Sequence, residues 1–382
     1  MTAQPAATTI SDSVPLLDLA RVLAPHRSEL RAAFERCLDH GRLVLGPEVT
    51  AFEASLAAST GHGGAVGVSS GTDALLATFL ALDLAPGDEV LTTAFTFIST
   101  ATSVLRAGLR PVFVDLAADG FHPDAGAYER AWTPRTRAVL AVHLFGEPVA
   151  LDDVAALCRR RGAALVEDCA QAIGARHADG GHVGHHGCAA TLSFFPAKSL
   201  GGLGDGGAVL ANDSDWLAEV RSIRQHGCKI RYRHDRLGGN FRLDALQAAM
   251  LAVLLPQLPG WIERRRDNAT HYLQAFCSLA DGLGDGFLLP PDRPGHAWNQ
   301  FVVRVAGRDR VAAALQAAGV GHAIYYPSGL HQQPALAGVS PVASLPQTEQ
   351  RCREVLALPV YPGLTEAERD RVVEVVHGAC LA

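Results

Sequence analysis

The chain has 382 residues, too many for one small core and enough for a large body plus a smaller one. Hydrophobic residues make up 48% and charged residues 19%, which excludes a disordered chain. A net charge of −6, from 33 basic against 39 acidic residues, gives no basic field, so no nucleic-acid partner is expected. Residues 1–13 are small and polar and read as a flexible N-terminus. They show no basic start followed by an apolar run, so no signal peptide is read there. No stretch approaches the roughly 18 apolar residues of a membrane span. Eight scattered cysteines without a C-x-x-C pair read as reduced, mostly buried thiols, and the expected location is the cytoplasm.

Leu30, Ala33, Phe34, Cys37 and Leu38 recur at i, i+3, i+4, i+7 and i+8, which predicts a helix stopped by Gly41. From residue 64 onward short apolar runs alternate with amphipathic stretches. The strand candidates are Ala65–Ser69, Glu89–Thr92, Pro111–Asp115, Ala138–Leu144, Ala164–Glu167, Thr191–Phe195 and Ala208–Ala211. Helical stretches such as Thr72–Leu82 and Leu151–Arg161 lie between them. This pattern predicts an α/β body with a mostly parallel seven-stranded sheet covered on both faces. A helix-rich region, Leu243–Leu279, is interrupted by Pro256, Pro259 and Gly260, read as a break and the route into a second domain. The strand Gln300–Val305 and helices near Asp309–Ala318 and Thr365–Val376 complete a smaller α+β domain. The expected division is 14–258 for the large domain and 259–382 for the small one.

Chemistry concentrates at three places. Glu167-Asp168-Cys169-Ala170-Gln171 puts a carboxylate where an apolar strand runs into a loop, the end of a parallel sheet at which ligands bind. Asp168 there needs a cationic partner. Thirty residues on, Ser193-Phe-Phe-Pro-Ala-Lys198 precedes a glycine-rich stretch, an apolar setting that suits a nucleophilic lysine. Ser70-Gly-Thr-Asp-Ala-Leu75 follows a strand and opens a helix, which makes it an anion site as well as an ordinary N-cap. A phosphate grip, a Schiff-base lysine and an aspartate for a pyridinium nitrogen are together what pyridoxal 5'-phosphate requires.

With these stretches the chain resembles the DegT/StrS-type (DegT/DnrJ/EryC/StrS) nucleotide-sugar aminotransferases, which have the type I aminotransferase fold. The likeness runs from about Gly41 to Arg265 and more weakly beyond. It is carried by Gly41-Arg-Leu-Val-Leu-Gly-Pro-Glu48, Ser70–Leu75, Ala94-Phe-Thr-Phe-Ile-Ser-Thr100, Val142-His-Leu-Phe-Gly146, Glu167–Gln171, Ser193–Lys198, Gly204-Asp-Gly-Gly207 and Gly239-Asn-Phe-Arg-Leu-Asp244. The resemblance implies that Lys198 carries the cofactor and acts as general base and acid, while Asp168 keeps the ring nitrogen protonated. Gly71, Thr72 and Ser193 would hold the phosphate, Phe97 would stack on the ring, and Gln171 would bond its phenolic oxygen. Asn240 would reach the phosphate of a neighbouring subunit, implying a homodimer with shared sites, with Arg242 at the same interface, near the amino donor or the substrate. Tyr232 and His234, in the loop His226–His234, and Tyr325 and His331 further on, would lie on the substrate side.

The implied reaction is amino transfer from L-glutamate to a nucleotide-linked keto-sugar, in amino-sugar biosynthesis for natural products or polysaccharides. The loop His226–His234 looks like that of members acting at C3; a 4-keto-sugar or other cyclic ketone, with L-glutamine as donor, is the alternative. Two further rivals are a sugar dehydratase, in which histidine replaces the lysine, and a non-catalytic regulator; Lys198 argues against both. Gly202–Gly207 formally fits a dinucleotide fingerprint but leads into a strand candidate, and is rejected. His182, His185 and His186 lack ligands at metal spacing and read as a solvated loop, so no metal is expected. Cys169 reads as a packing residue.

Overall fold

The protein was analysed as a computed structural model, which describes residues 13–340 and 344–381. The expected flexible terminus, residues 1–13, lies outside the described residues except for Ser13. Seven strands form one sheet: β1 (Gly64–Val68), β2 (Glu89–Thr93), β3 (Arg110–Val114), β4 (Thr136–Val142), β5 (Ala164–Asp168), β6 (Ala189–Ser193) and β7 (Gly207–Ala211). Their order is β1-β7-β6-β5-β4-β2-β3. All pairings are parallel except those of β7, which runs antiparallel to both β1 and β6. The sheet is therefore the mostly parallel one that the apolar runs predict.

Two-residue alternation explains how both faces are covered. In β4, Val139 and Ala141 face the helix Asp152–Arg161, while Ala138 and Leu140 meet the helices Gly71–Ala81 and Ser99–Arg106. In β7, Ala208 and Leu210 face the helices Arg27–His40, Pro47–Thr60 and Ala245–Leu254, and Val209 and Ala211 face Ser214–Ile223. The helix at Arg27–His40 stops where Gly41 takes a left-handed conformation (φ 64°). The strand expected at Ala138–Leu144 ends at Val142 because the chain turns at Leu144–Gly146, where Phe145 has φ 61°.

The stretch Ala245–Gly286 is long and apolar enough by composition to cross a membrane, unlike the expectation from the sequence. Its apolar residues Ala248, Leu251 and Leu254 are instead wholly buried in the main core. Pro256 sits in a single 3-10 turn and Pro259 in the first turn of the next helix, Leu258–Leu283, where missing N–H groups cost least. That helix serves both bodies: Trp261 and Ile262 join the large core, and Tyr272 and Phe276 join the small one. The smaller body pairs β10 (Phe287–Leu288), β11 (Phe301–Val305) and β12 (Val355–Leu358) in an antiparallel sheet. The helices Arg308–Ala317 and Glu366–Leu381 cover it. Val14 belongs to this second core, tied by its N–H to Gly319 and by its carbonyl to Gly321, so the chain enters the fold at the small body.

At the end of β5 alternation turns Glu167 and Asp168 to opposite faces. Glu167 is fully buried and accepts four hydrogen bonds: His143 Nε2 (2.9 Å) and the N–H groups of Gly184 (2.9 Å), His186 (2.7 Å) and Gly187 (2.7 Å). Here the histidine-rich segment departs in part from the solvated loop expected of it. His182 is buried between Val183 and Gly174, because the carboxylate draws this part of the segment inward, while His185, stacked on His62 at 3.9 Å, stays exposed. Burial opposes the charge on Glu167, but the His143 hydrogen bond and the N–H donors outweigh it and hold the carboxyl at about 2. The unfolded chain thus binds this proton more tightly than the folded one. Stabilisation of about 3 kcal/mol is present above pH 4.5 and is lost as pH falls toward 2. Glu167→Gln should remove it, lowering stability by about 3 kcal/mol at pH 7 in urea unfolding and flattening the acid limb of the stability profile.

Candidate active site

The carboxyl ends of the parallel strands converge on one cavity of about 430 Å³. Asp168 ends β5 and Ser193 ends β6. Ser70, Gly71 and Thr72 follow β1, Thr96 and Phe97 follow β2, and Leu144 follows β4; all line this space. Lys198, Gln171, Gln300, Tyr325 and Tyr326 complete the wall.

The anion end is built by close approach. Ser70 caps the helix Gly71–Ala81, its hydroxyl accepting from Asp73 N–H (3.0 Å), which leaves Gly71 and Thr72 at the first positions, where N–H groups have no intrahelical acceptor. A side chain at Gly71 would stand 2.7 Å from Ser193 Cβ, and one at Gly207 would stand 2.4 Å from the Ser70 carbonyl. Glycine at both places lets β6, β7 and the helix start pack into a cradle in which Ser193 Oγ lies beside the helix N-terminus.

Asp168 is 4% exposed. Its Oδ1 accepts from Ala170 N–H (3.0 Å) and its Oδ2 from Thr100 Oγ1 (3.5 Å). Burial pushes the carboxyl up, against the pull of Ala170 N–H and the charge of Lys198. Lys198 shows the complementary effect: burial lowers its amine to about 8, and Asp168 alone pulls it back up. About a tenth of the amine is then neutral at pH 7, against almost none for an exposed lysine. Lys198 is also one of only two lysines in the chain, the other being Lys229, among 33 basic residues.

Gln171 is fixed in orientation. Its Oε1 accepts from Phe145 N–H (2.7 Å), so Nε2 is the end that points to the cavity, where it donates to the Tyr326 hydroxyl (3.3 Å). Phe97 is 55% exposed at the mouth, its ring 6.4 Å from that of Tyr326. Of the residues expected at the site, Gly71, Thr72, Phe97, Asp168, Gln171, Ser193, Lys198 and Tyr325 are brought together. Asn240 is exposed and bridged to Gln225, and Arg242 is bridged to Val68; neither lines the cavity of its own chain. Tyr232 and His234 stand on the hairpin of β8 (Cys228–Ile230) and β9 (Arg233–His234), Tyr232 82% exposed beneath the Arg231 guanidinium. His331 is turned from the cavity and paired with Glu349 at 3.2 Å. Thr96, Thr100, Gln300 and Tyr326 were not singled out from the sequence, although Tyr326 lies in the quoted Tyr325-Tyr-Pro327 stretch.

Glu167, His177 and His186 bring potential ligand atoms within 4.8 Å of one another. Both Glu167 oxygens already accept two donors each, so the cluster is a structural hydrogen-bond hub. Cys169 is buried and its thiol is pushed up by burial, as befits a packing residue.

The description DegT/DnrJ/EryC1/StrS aminotransferase family matches residues 25–377. Among curated relatives, a pleiotropic regulatory protein of Geobacillus stearothermophilus is 40% identical over 95% of this chain and 97% of its own. A UDP-N-acetyl-3-dehydro-α-D-glucosamine 3-aminotransferase of Acidithiobacillus ferrooxidans is 38% identical over 97% and 98% respectively. Among solved structures, DesV of S. venezuelae superposes with a TM-score of 0.92 at 40% identity, covering 97% of this chain and 99% of that one.

The charge of Asp168 acting on Lys198 has a direct consequence in protein free of small molecules. Modification of Lys198 by an amine-reactive reagent, followed by peptide mapping against Lys229, should show a rate midpoint near pH 8. Asp168→Asn should move that midpoint lower, because the carboxylate is what holds the amine up; an unmoved midpoint would mean the two groups do not interact.

Proposed function

The chain belongs to the DegT/DnrJ/EryC1/StrS aminotransferase family, enzymes that use pyridoxal phosphate, and on that premise we propose that it transfers the amino group of L-glutamate to C3 of a nucleotide-linked keto-sugar. The observation that carries the reading is the meeting of Lys198, Asp168, Gln171, Ser193 and the Gly71–Thr72 helix start in one cavity. The cavity suits the cofactor at each of its polar ends. Gly71 and Thr72 would meet its phosphate through N–H groups, joined by Ser193 Oγ. Asp168 would face its ring nitrogen, Gln171 Nε2 its phenolic oxygen, and Phe97 its ring face.

When bound, the cofactor supplies a carbonyl carbon that accepts the amino group and a ring that withdraws electrons from it. Lys198 contributes an amine of which about a tenth is neutral at pH 7, nucleophilic for attachment and able afterwards to take a proton from the donor's α-carbon and pass it to the cofactor's carbonyl carbon. Asp168 contributes a buried negative charge that favours a protonated ring nitrogen, an effect typically of about 1–3 pKa units. Tyr325, Tyr326 and Gln300 line the same cavity and would bound the reacting atoms there.

The C3 assignment rests on the hairpin Cys228–His234, similar to that of members acting at this carbon, and on the relative from A. ferrooxidans named for a 3-dehydro sugar. The intact Lys198 site favours catalysis over the purely regulatory role suggested by the name of the G. stearothermophilus relative. We also read the working form as a cytoplasmic homodimer. Asn240, Tyr232 and His234 are exposed on one chain, and Ile230 (62%) and Leu237 (87%) expose apolar surface beside them. A second copy would cover this surface and bring Asn240 to its neighbour's phosphate cradle.

With glutamate and a nucleotide-3-keto-sugar, the purified enzyme should release one 2-oxoglutarate per amino-sugar, with nitrogen on C3 by NMR. Nitrogen on C4, or no 2-oxoglutarate with any keto-sugar, would overturn the assignment. Lys198→Ala should abolish the cofactor's attachment and visible absorbance, and Asp168→Asn should keep cofactor while turnover falls about 1000-fold. Mixing Lys198→Ala with Asn240→Ala chains should restore about a quarter of wild-type activity if sites are shared across a two-fold interface. No recovery in mixed dimers would place Asn240 outside the neighbour's site.

A further inference from the structure

Arg265, on the helix Leu258–Leu283, is 4% exposed, yet no carboxylate among the described residues lies within ion-pair distance of it. Its hydrogen bonds there leave from Nη1 alone, to the carbonyls of Trp298 and Asn299 (3.2 Å each). Nε is buried with no partner. The other two deeply buried arginines are provided for: Arg224 pairs with Glu53, and Arg351 holds the Ala118 and Gly120 carbonyls within the field of Glu354 and Asp115. Burial lowers Arg265 to about 10, so it keeps its charge at neutral pH. A buried cation without an anion is costly unless one arrives with a ligand.

Arg265 faces a cavity of about 100 Å³ that shares Ala197, Gln300 and Tyr325 with the reactive cavity, and it meets Lys198 in a smaller cleft alongside. The cavity beside Arg265 is about the size of three waters, enough for a carboxylate with an adjoining methylene. A second donor is fixed in place: Gln300 Oε1 accepts from Asn299 Nδ2 (2.9 Å), and Asn299 Oδ1 in turn accepts from Ser199 N–H (3.1 Å), so Gln300 Nε2 is left for the cavity. Leu16 and Leu17 add apolar lining to the pocket.

We propose that Arg265, with Gln300, forms the subsite that binds a carboxylate of the amino donor beside Lys198. It rests on the reading of this protein as an amino-acid-dependent aminotransferase and says how that site selects its donor. The bonds to Trp298 and Asn299 aim the guanidinium; the ligand supplies the missing anion.

The test uses holoenzyme of wild type, Arg265→Gln and Arg265→Lys, with succinate as an unreactive dicarboxylate probe. Tryptophan emission reports binding, since Trp261 lines the cleft and the Trp298 carbonyl accepts from the arginine. Succinate affinity and the donor half-reaction with glutamate should fall about 100-fold in Arg265→Gln, with partial recovery in Arg265→Lys. The keto-sugar KM and the rate with n-propylamine, which has no carboxylate, should stay unchanged. Dependence on Arg265 kept with 2-aminobutyrate assigns the α-carboxylate, and kept with 4-aminobutyrate the distal one. Equal losses for glutamate and n-propylamine, or unchanged succinate affinity in both variants, would reduce Arg265 to a structural residue and overturn the proposal. Should wild type bind succinate through Arg265 yet never release 2-oxoglutarate from glutamate, the donor assignment fails while the subsite stands. Should glutamate turnover be intact and indifferent to Arg265, only the subsite fails.

Discussion

Strand alternation at the end of β5 is the constraint on which the site depends. Adjacent carboxylates, Glu167 and Asp168, point to opposite faces of the sheet and are treated in opposite ways. Glu167 has all of its acceptor capacity filled by His143 and three N–H groups, so its charge is locked into the scaffold. Asp168 has one main-chain donor and a distant hydroxyl, and its remaining demand is directed into the cavity. A saturated carboxylate behind the strand fixes the position of an unsaturated one in front of it, which is how a buried charge is kept both rigid and available.

The rest of the cavity follows the same logic of incomplete satisfaction. Lys198 is desolvated and answered only by Asp168, and Arg265 is desolvated and answered by two carbonyls. The helix start at Gly71–Thr72 presents N–H groups that the helix cannot use. Each of these would be a defect in a packed core. Together they would suit a ligand with a phosphate, a cationic ring nitrogen and a partner carboxylate, and the large body supplies all but Arg265 with its carbonyls, Gln300 and the Tyr325–Tyr326 wall.

The sheet and the residues that meet in the cavity were legible because their signals are local. Continuous apolar runs predict buried parallel strands, and Asp168 and Ser193 at strand ends and Lys198 just after one each stand in a recognisable stretch. Strand ends were less legible: Phe145 takes a positive φ that no propensity at that residue announces. The histidine-rich loop looked polar and solvated because the carboxylate that draws it inward, Glu167, lies 15 residues or more away in the chain. Arg265 and Gln300 were illegible for the same reason. Arg265 reads as one of three successive arginines on an amphipathic helix, and only packing against Trp298 and Asn299 singles it out. One overlooked signal was available: a chain with 33 basic residues that keeps lysine at only two positions marks both for attention.

That scarcity makes the central claim open to one direct measurement. Borohydride reduction of the coloured holoenzyme, followed by proteolysis and mass spectrometry, fixes the cofactor to whichever amine carries it. The account predicts a phosphopyridoxyl group on Lys198 alone, with Lys229 unmodified. Label on Lys229, or a coloured protein with no label on Lys198, would contradict it.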